Sequence, residues 1–376
     1  MTERKYIDFY TKAGAHLVSR EIRDQQKYFL SRQALYLSLG IIPSLIRNKS
    51  VIEFGPGAGH NTLYTDSLMP KKLVLVDGVE DVLVAARERL EKYGTKFTQR
   101  EYELAYFEEY RSENKFDLVI AEACVPTQRD PDSLIRYLGD FTKVGGVFLT
   151  TTVSGVSALS EILRQLVKEI VIADNLSIDE QLSILRPLFT SHLQCLPNMA
   201  RSYDDWLVDN IIQTHSSGLL FSIPQSIQAM SDKFVIVGSS PKFLSDWRWY
   251  RDITDSEISS NQNAIEQYYR SCINLLDFRH IKPLHDIDLG MEIEEQCARI
   301  WNYRTQLAAG NDGVWKDIWA GLNQISELVR KPAPETFVAI EEAVSWLQDG
   351  APATGLKHFP FWWGRGQQYI SFVRTH

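Results

Sequence analysis

The chain has 376 residues, 44% hydrophobic and 23% charged, the balance of a globular protein with room for more than one folding unit. Its formal net charge of −8, with Lys and Arg scattered among acids, argues against nucleic acid as a partner, because phosphate binding needs clustered cations. The four cysteines, Cys124, Cys195, Cys272 and Cys297, show no C-x-x-C spacing, so neither a zinc or other metal site nor a disulfide framework is expected.

The opening residues Met1–Lys5 carry no apolar signal core, and no uncharged apolar run approaches membrane-spanning length. A reducing cytoplasm, with no membrane partner, is the expected location. Residues 1–49 read as helical, with Phe29, Leu30, Leu35, Leu37, Ile41, Ile42 and Leu45 at mixed three- and four-residue spacing. Tyr6, Phe9, Tyr10 and Tyr28 add aromatic rings to this segment. It either covers the sheet that follows or folds over a ligand.

Residues 51–59, Val-Ile-Glu-Phe-Gly-Pro-Gly-Ala-Gly, end a short apolar run in Glu53 and then in Gly55, Gly57 and Gly59. Leu73–Val76 is a second apolar run, ending in Asp77 and Gly78. Strand, glycine turn, helix, strand and acid is how an α/β domain cradles an adenosine-containing cofactor at the carboxyl edge of a parallel sheet. A dinucleotide site calls for G-x-G-x-x-G, yet the third glycine position counted from Gly55 is His60. A phosphate-binding P-loop calls for Gly-Lys-Ser/Thr, and Gly59 is followed by His60-Asn61. Glu53, an acid in the turn, suits a cation better than a pyrophosphate.

With Glu53, Gly55, Gly57 and Gly59 matching acid-x-Gly-x-Gly-x-Gly, the chain resembles the class I (Rossmann-like) S-adenosylmethionine-dependent methyltransferases. The resemblance implies that Asp77 binds both ribose hydroxyls, with Gly78 beside it. It also implies S-adenosyl-L-methionine as cofactor. Two further features agree, Phe116-Asp117 opening a strand and Lys143-Val-Gly-Gly before another, so the likeness covers about residues 50–152.

The alternation continues along the chain. Val79–Tyr93 reads as a charged amphipathic helix, Lys96–Gln99 as a third strand, Phe116–Ala121 as a fourth and Val147–Thr151 as a fifth. Strands separated by helices imply right-handed crossovers and a parallel sheet. The fold class expected is a doubly wound, mostly parallel, seven-stranded Rossmann-like sheet with an antiparallel last strand, plus helical insertions. Lys233–Gly238 serves as strand six and Gln367–Arg374 as strand seven.

Three regions follow from this reading: an N-terminal helical segment, 1–49; a cofactor-binding domain, 50–240 plus 364–376, with a substrate-side insertion at 155–230; and a mostly helical insertion, 242–362. The last of these carries Ile300, Trp301, Tyr303, Leu307, Trp315, Trp319, Leu322, Ile325 and Leu328 at helical spacing and is a candidate homodimer surface.

Candidate site residues lie at strand ends and in the insertions. After the third strand, where the resembled family contacts the adenine ring, Glu101 can accept from the amino group and Tyr102 can stack; Phe107–Tyr110 is an alternative patch. Glu122, at the carboxyl end of the fourth strand, would hold the cofactor's ammonium or act as a base, or is simply a helix-capping or solvated acid. Cys124 reads as a small apolar filler. The loop has neither the Asn-Pro-Pro-Tyr of adenine-N6 enzymes nor the Pro-Cys of cytosine-C5 enzymes.

Residues 199–215 concentrate Arg201, Tyr203, Asp205, Trp206, Asp209 and His215. Asp205 and Asp209, four apart, share one face of an α-helix. The mix suits a polyhydroxylated or amino substrate, with Asp205 and His215 as candidate catalytic groups and Arg201, Tyr203, Trp206, Asp209 and Trp362 as substrate contacts. The competing reading is a solvated helix capped by Asp204 or Ser202, with a structural His215. Asp246–Tyr250 and His358–Arg365 are further aromatic clusters that either line a pocket or pack the insertion. The pattern suits a small-molecule methyltransferase; the alternatives are a protein methyltransferase, a non-catalytic cofactor-binding module whose helical insertion docks a protein partner, and an aminopropyltransferase, whose glycine and aspartate pattern is not matched.

Overall fold

The computed structural model describes residues 24–376 apart from 127, 174, 197–198, 200–201, 214–219, 250 and 252–258. Tyr6, Phe9, Tyr10, Arg201, His215 and Tyr250 lie outside the described residues. The chain forms two compact units, one from the described residues of 1–152, 221–265 and 368–376 and the other from those of 153–220 and 266–367.

The first unit is built on a seven-stranded sheet of order β3-β2-β1-β4-β5-β7-β6. Its strands are β1 (Ser50–Phe54), β2 (Lys72–Asp77), β3 (Gln99–Leu104), β4 (Phe116–Ala121), β5 (Thr142–Thr152), β6 (Phe234–Ser240) and β7 (Gln368–Arg374). β1 through β5 pair in parallel, and β7 runs antiparallel between β5 and β6. Strands buried on both faces read as continuous apolar runs, which is why Val51–Phe54 and Leu73–Val76 stand out in the sequence. Val51, Leu73, Leu75, Leu118, Ile120 and Leu149 pack into one core with Tyr36, Leu39 and Leu90 from the covering helices.

The helices of this unit are α1 (Gln25–Ser38), α2 (His60–Ser67), α3 (Glu80–Tyr93), α4 (Pro131–Gly139) and α8 (Ile223–Met230). α1 begins at Asp24, whose carboxylate accepts from the Lys27 amide at 3.0 Å, a standard N-cap. β5 starts five residues before the expected Val147, taking in Gly145-Gly146. Its pairing with β4 shifts between Phe116 and Leu118, a bulge that absorbs the glycines within the strand.

The second unit is helical. It contains α5 (Gly155–Val171), α6 (Ile178–Gln194), α7 (Tyr203–Leu207), the end of α9 (Ser260–Ser271), α10 (Ile273–Leu276), α11 (Ile287–Leu307), α12 (Trp315–Val329) and α13 (Pro334–Gln348). Two segments expected as separate insertions therefore pack as one body. The reason is pairwise: α5, from the first, carries Gly155 against Cys297 of α11, from the second, where a Cβ would stand 2.8 Å from backbone. Arg164 of α5 anchors the same body, donating to the Phe359 and Trp362 carbonyls at 3.0 and 2.9 Å and to His192 Nδ1 at 3.1 Å.

Candidate active site

The glycine loop leaves β1 with Gly55 at φ +70°, Gly57 at +53° and Gly59 at +76°. At Gly59 a Cβ would stand 3.2 Å from the Ala86 backbone, so this glycine lets α2 and α3 approach closely. At Gly57 the same construction meets nothing within 4 Å, so bare backbone faces open space where a ligand can lie against it. α2 begins directly at His60.

Asp77 closes β2, and its Oδ1 accepts from the Val79 amide at 2.9 Å. Burial raises its carboxyl to about 6. The neighbouring Gly78 faces the ring of Tyr106, where a Cβ would stand 2.7 Å from Cδ1. Tyr106 was not singled out in the sequence, yet it follows β3 at the level of Asp77, whose carbonyl accepts from Ala105 at 3.0 Å.

The register of β3 corrects the adenine assignment. Glu101 and Tyr102 pair with Val74 and Leu75, inside the strand, and Leu104 is the residue beside Asp77. At about 3.3 Å per residue, Glu101 sits roughly 10 Å back from the carboxyl edge. It pairs with Lys72 at 2.7 Å, at the opposite end of β2, and Tyr102 lies under Arg87 of α3 at 4.7 Å. In the alternative patch, Tyr110 is buried against Phe54 and Phe141, while Glu108 and Glu109 are exposed.

Beyond β4, Glu122 is buried and engaged. Its carboxylate accepts two bonds from the Arg32 guanidinium of α1, Nη1 at 3.1 Å and Nη2 at 2.5 Å, and one from Asn61 Nδ2 at 2.9 Å. Asn61 in turn accepts from the Tyr28 hydroxyl. Burial works against the Arg32 charge, but Glu122 beside it raises its pKa above the usual arginine value. Glu122 is thus neither a solvated acid nor a free base. The next residue, Ala123, is held at φ +58° with its amide on Thr151 Oγ1 at 2.8 Å, a strained turn of the kind that clusters at functional sites. Cys124 is buried, and burial pushes its thiol well up, which fits an inert filler.

Glu53 completes the group. It is 3% exposed, and its Oε2 has no hydrogen-bond partner among the described residues. Burial, with the Glu122 charge close by, raises its carboxyl to about 7. An acid at the end of β1, an acid at the end of β2, a glycine turn and an open backbone thus meet at the carboxyl edge of the sheet.

Residues 46–190 match the family model described as a methyltransferase domain. The matched residues are thus similar to a methyltransferase domain, and they carry most of a Rossmann-like, mostly parallel sheet.

Among solved structures, the chain is similar to an S-adenosylmethionine-dependent methyltransferase from Mesorhizobium loti (17% identity, 34% of this chain and 54% of that one, TM-score 0.27). It is also similar to the CcbJ methyltransferase from Streptomyces caelestis (19%, 34% and 49%, TM-score 0.28). The third is PKMT2 from Rickettsia typhi (13%, 55% and 42%, TM-score 0.38). The chain spans about half the length of these structures. No curated protein matches it.

The residues of the methyltransferase domain fit the cofactor of its family. Gly57 offers open backbone, Asp77 a half-buried acceptor, and Glu53 an orphaned buried oxygen suited to a cation. Arg32 and Asn61 were not found from sequence. Arg32 lies on a helix 90 residues before Glu122 with no local motif, and Asn61 stands out in the sequence only as a departure from a P-loop.

The remaining candidates belong to the second unit, and two of them are corrected. Trp362 is fully buried, with its Nε1 donating to the Leu276 carbonyl at 2.7 Å, and so packs rather than meets a substrate. Trp206 is 9% exposed, edge-on to Trp363 at 5.5 Å and near Phe189, and is likewise core. Ser202 caps α7, accepting from the Asp205 amide at 3.1 Å, and Asp204 pairs with Arg186 at 2.7 Å. After Leu207 the helix widens to π over Val208–Ile212. The four-residue spacing that stacks Asp205 over Asp209 in an α-helix no longer does so there. Tyr203 and Asp205 are exposed and Asp209 is half-buried. In the first unit, Trp247 is 96% exposed, and Asp246 pairs with Arg248 at 2.6 Å.

Among the described residues, no helix is long and apolar enough to cross a membrane.

Proposed function

We propose that the chain transfers a methyl group from S-adenosylmethionine to an oxygen or nitrogen of a small polar metabolite, such as a sugar, a nucleotide-sugar or an amine. The observation that carries this reading is the meeting of Glu53, Gly57, Asp77 and Glu122 at the carboxyl ends of β1, β2 and β4. When bound, S-adenosylmethionine supplies an already activated methyl, so the protein mainly has to hold the acceptor close and aligned. Asp77 accepts from the ribose hydroxyls. Gly57 lets the cofactor lie against backbone. Glu53, beside the mutually neutralised Arg32–Glu122 pair, sets a negative field at the sulfonium end.

Glu122 is occupied by Arg32 and Asn61, so it does not serve as the general base. An acceptor nitrogen that arrives unprotonated fits this arrangement better than an alcohol, whose proton a base must remove. The exposed Tyr203 and Asp205 and the half-buried Asp209, with Arg201 and His215 in the same stretch of sequence, support a polar acceptor.

Calorimetric titration of the folded chain with S-adenosylmethionine tests the first half, and absence of binding sinks it. Incubation with methyl-labelled donor and a metabolite extract tests the second. Label in a low-molecular-weight product supports the reading, and label in protein moves the acceptor to a polypeptide. The engaged state of Glu122 also favours a second reading, a cofactor-binding module without turnover; binding with no labelled product from any acceptor supports that one.

A further inference from the structure

Arg32, Glu122 and Glu53 form one buried group fed by three elements. Arg32 comes from α1, Glu53 from the end of β1 and Glu122 from the turn after β4. Arg32 and Glu122 are 6% exposed each and Glu53 is 3% exposed. Arg32 and Glu122 neutralise each other through two hydrogen bonds, and Asn61 pins the Glu122 oxygen shared with Arg32 Nη1. Glu53 is left over. Its Oε2 is buried without a partner among the described residues, a costly state unless a cation meets it. With Glu53 ionised the group carries one net negative charge, from an acid that has Thr62 and the already paired Arg32 beside it but no cation of its own.

Resting on the methyltransferase reading, we propose that this group is a donor-selective element, which favours the positively charged sulfonium donor over its neutral-sulfur product, and that Arg32 is the positioning residue that sets its strength. The charge arithmetic is direct. S-adenosylmethionine carries a sulfonium, an ammonium and a carboxylate, net plus one, whereas S-adenosylhomocysteine carries only the last two, net zero. A group of net minus one, apart from Asp77 at the ribose end, therefore discriminates between them by charge, which assists release of product after each transfer.

The environment of Glu53 suits such a role. The titratable groups facing it are Arg32 and Tyr36 from α1 and Glu122 and Cys124 from the turn after β4. Burial and the Glu122 charge hold its carboxyl up to about 7, so near neutral pH it is poised to ionise when a cation arrives. Tyr36 and Cys124 are both pushed well above their ordinary values and stay neutral there. Arg32 is then the only cation among these groups. Removing it raises the net negative charge, and neutralising Glu53 abolishes it.

The test is the ratio of dissociation constants for S-adenosylhomocysteine and S-adenosylmethionine, measured by calorimetry at pH 7.5 on the full chain. Glu53→Gln should lower this ratio roughly tenfold and Arg32→Gln should raise it by a similar factor, the order expected for one unit charge in a partly buried site. Arg32→Lys, which keeps the charge, should restore the wild-type ratio. A purely structural role weakens both ligands together and leaves the ratio unmoved, and that result overturns the proposal. If Arg32→Gln does not fold, Glu53→Gln and Arg32→Lys decide it alone: an unchanged ratio in the first, or a shifted ratio in the second, refutes it. Wild-type protein that binds neither ligand overturns the methyltransferase reading as well. Wild-type protein that binds both, with charge-independent ratios, overturns only this inference.

Discussion

The α-carbon of Gly78 faces the ring of Tyr106 so closely that a Cβ would stand 2.7 Å from Cδ1 and 3.0 Å from Cε1. Glycine after Asp77 therefore serves the placement of an aromatic ring at the carboxyl edge, beside the proposed ribose acceptor. Gly78→Ala should push that ring aside and weaken S-adenosylmethionine binding about tenfold, while costing about 1 kcal/mol of stability or less, since a side chain rather than backbone must move. Calorimetry and thermal melting separate the two effects. Binding within twofold of wild type would show that Tyr106 does not touch the cofactor.

Asp77→Asn keeps the shape of the side chain and removes its charge. Hydrogen bonds to a charged acceptor contribute about 1.5–3 kcal/mol, so the expected loss is about ten- to a hundredfold in affinity for S-adenosylmethionine. Unchanged affinity refutes the ribose assignment.

The pH dependence of stability should carry the signature of Glu53. Its carboxyl is raised from 4.5 to about 7 in the folded chain. A raised carboxyl favours the folded state fully below the unfolded value, and that contribution is lost as pH rises through about 7. The ligand-free protein should therefore lose about 3 kcal/mol between pH 4.5 and 7.5 from this group. Asp77, raised to about 6, acts in the same direction. Glu53→Gln should flatten the slope and be more stable than wild type at pH 8. Parallel melting curves for the two proteins across this range would exclude the buried, uncompensated state of Glu53.

Arg164→Met should destabilise the helical unit by about 3 kcal/mol or more, because two buried carbonyls and His192 Nδ1 lose their donor at about 1–3 kcal/mol each. Arg164 is fully buried, holds two carbonyls of the 359–362 turn, and lies 3.6 Å from the centroid of Trp363. His192, which accepts from it, is lowered to about 2 by burial and by the Arg164 charge, so it stays neutral and gives no compensating cation. Urea denaturation followed by tryptophan fluorescence reads this directly, because Trp206, Trp346, Trp362 and Trp363 are buried in that unit. A loss below 1 kcal/mol contradicts the anchoring role.

Local pattern carried much of the fold. Strands buried on both faces must be apolar throughout, so β1, β2 and β4 announced themselves, and the glycines after β1 announced the turn because few other residues tolerate its left-handed backbone. Even β7, more than 120 residues after β6, was found from its own apolar run and is antiparallel as expected; the structure places it between β5 and β6. β3 was misplaced by a few residues because its exposed edge position leaves a weak pattern, with Gln99, Glu103 and Leu104 open to solvent. That small slip moved Glu101 and Tyr102 from the cofactor edge into the strand.

The sequence by itself determined the cofactor class and the two acids, Glu53 and Asp77, because both follow directly from the ends of strands whose pattern is local. Only the tertiary structure decided what those acids meet. Glu122 looked like a free carboxylate until Arg32, 90 residues earlier, was found on it, and Glu53 could not be seen as uncompensated without that pairing. Trp206 and Trp362 looked like ring-binding surfaces and turned out to be core, because an aromatic side chain serves burial and recognition equally well until its neighbours are known. Periodicity records which face of an element is buried. Charge pairing and burial depend on residues brought together from distant parts of the chain, and no window of sequence contains both partners.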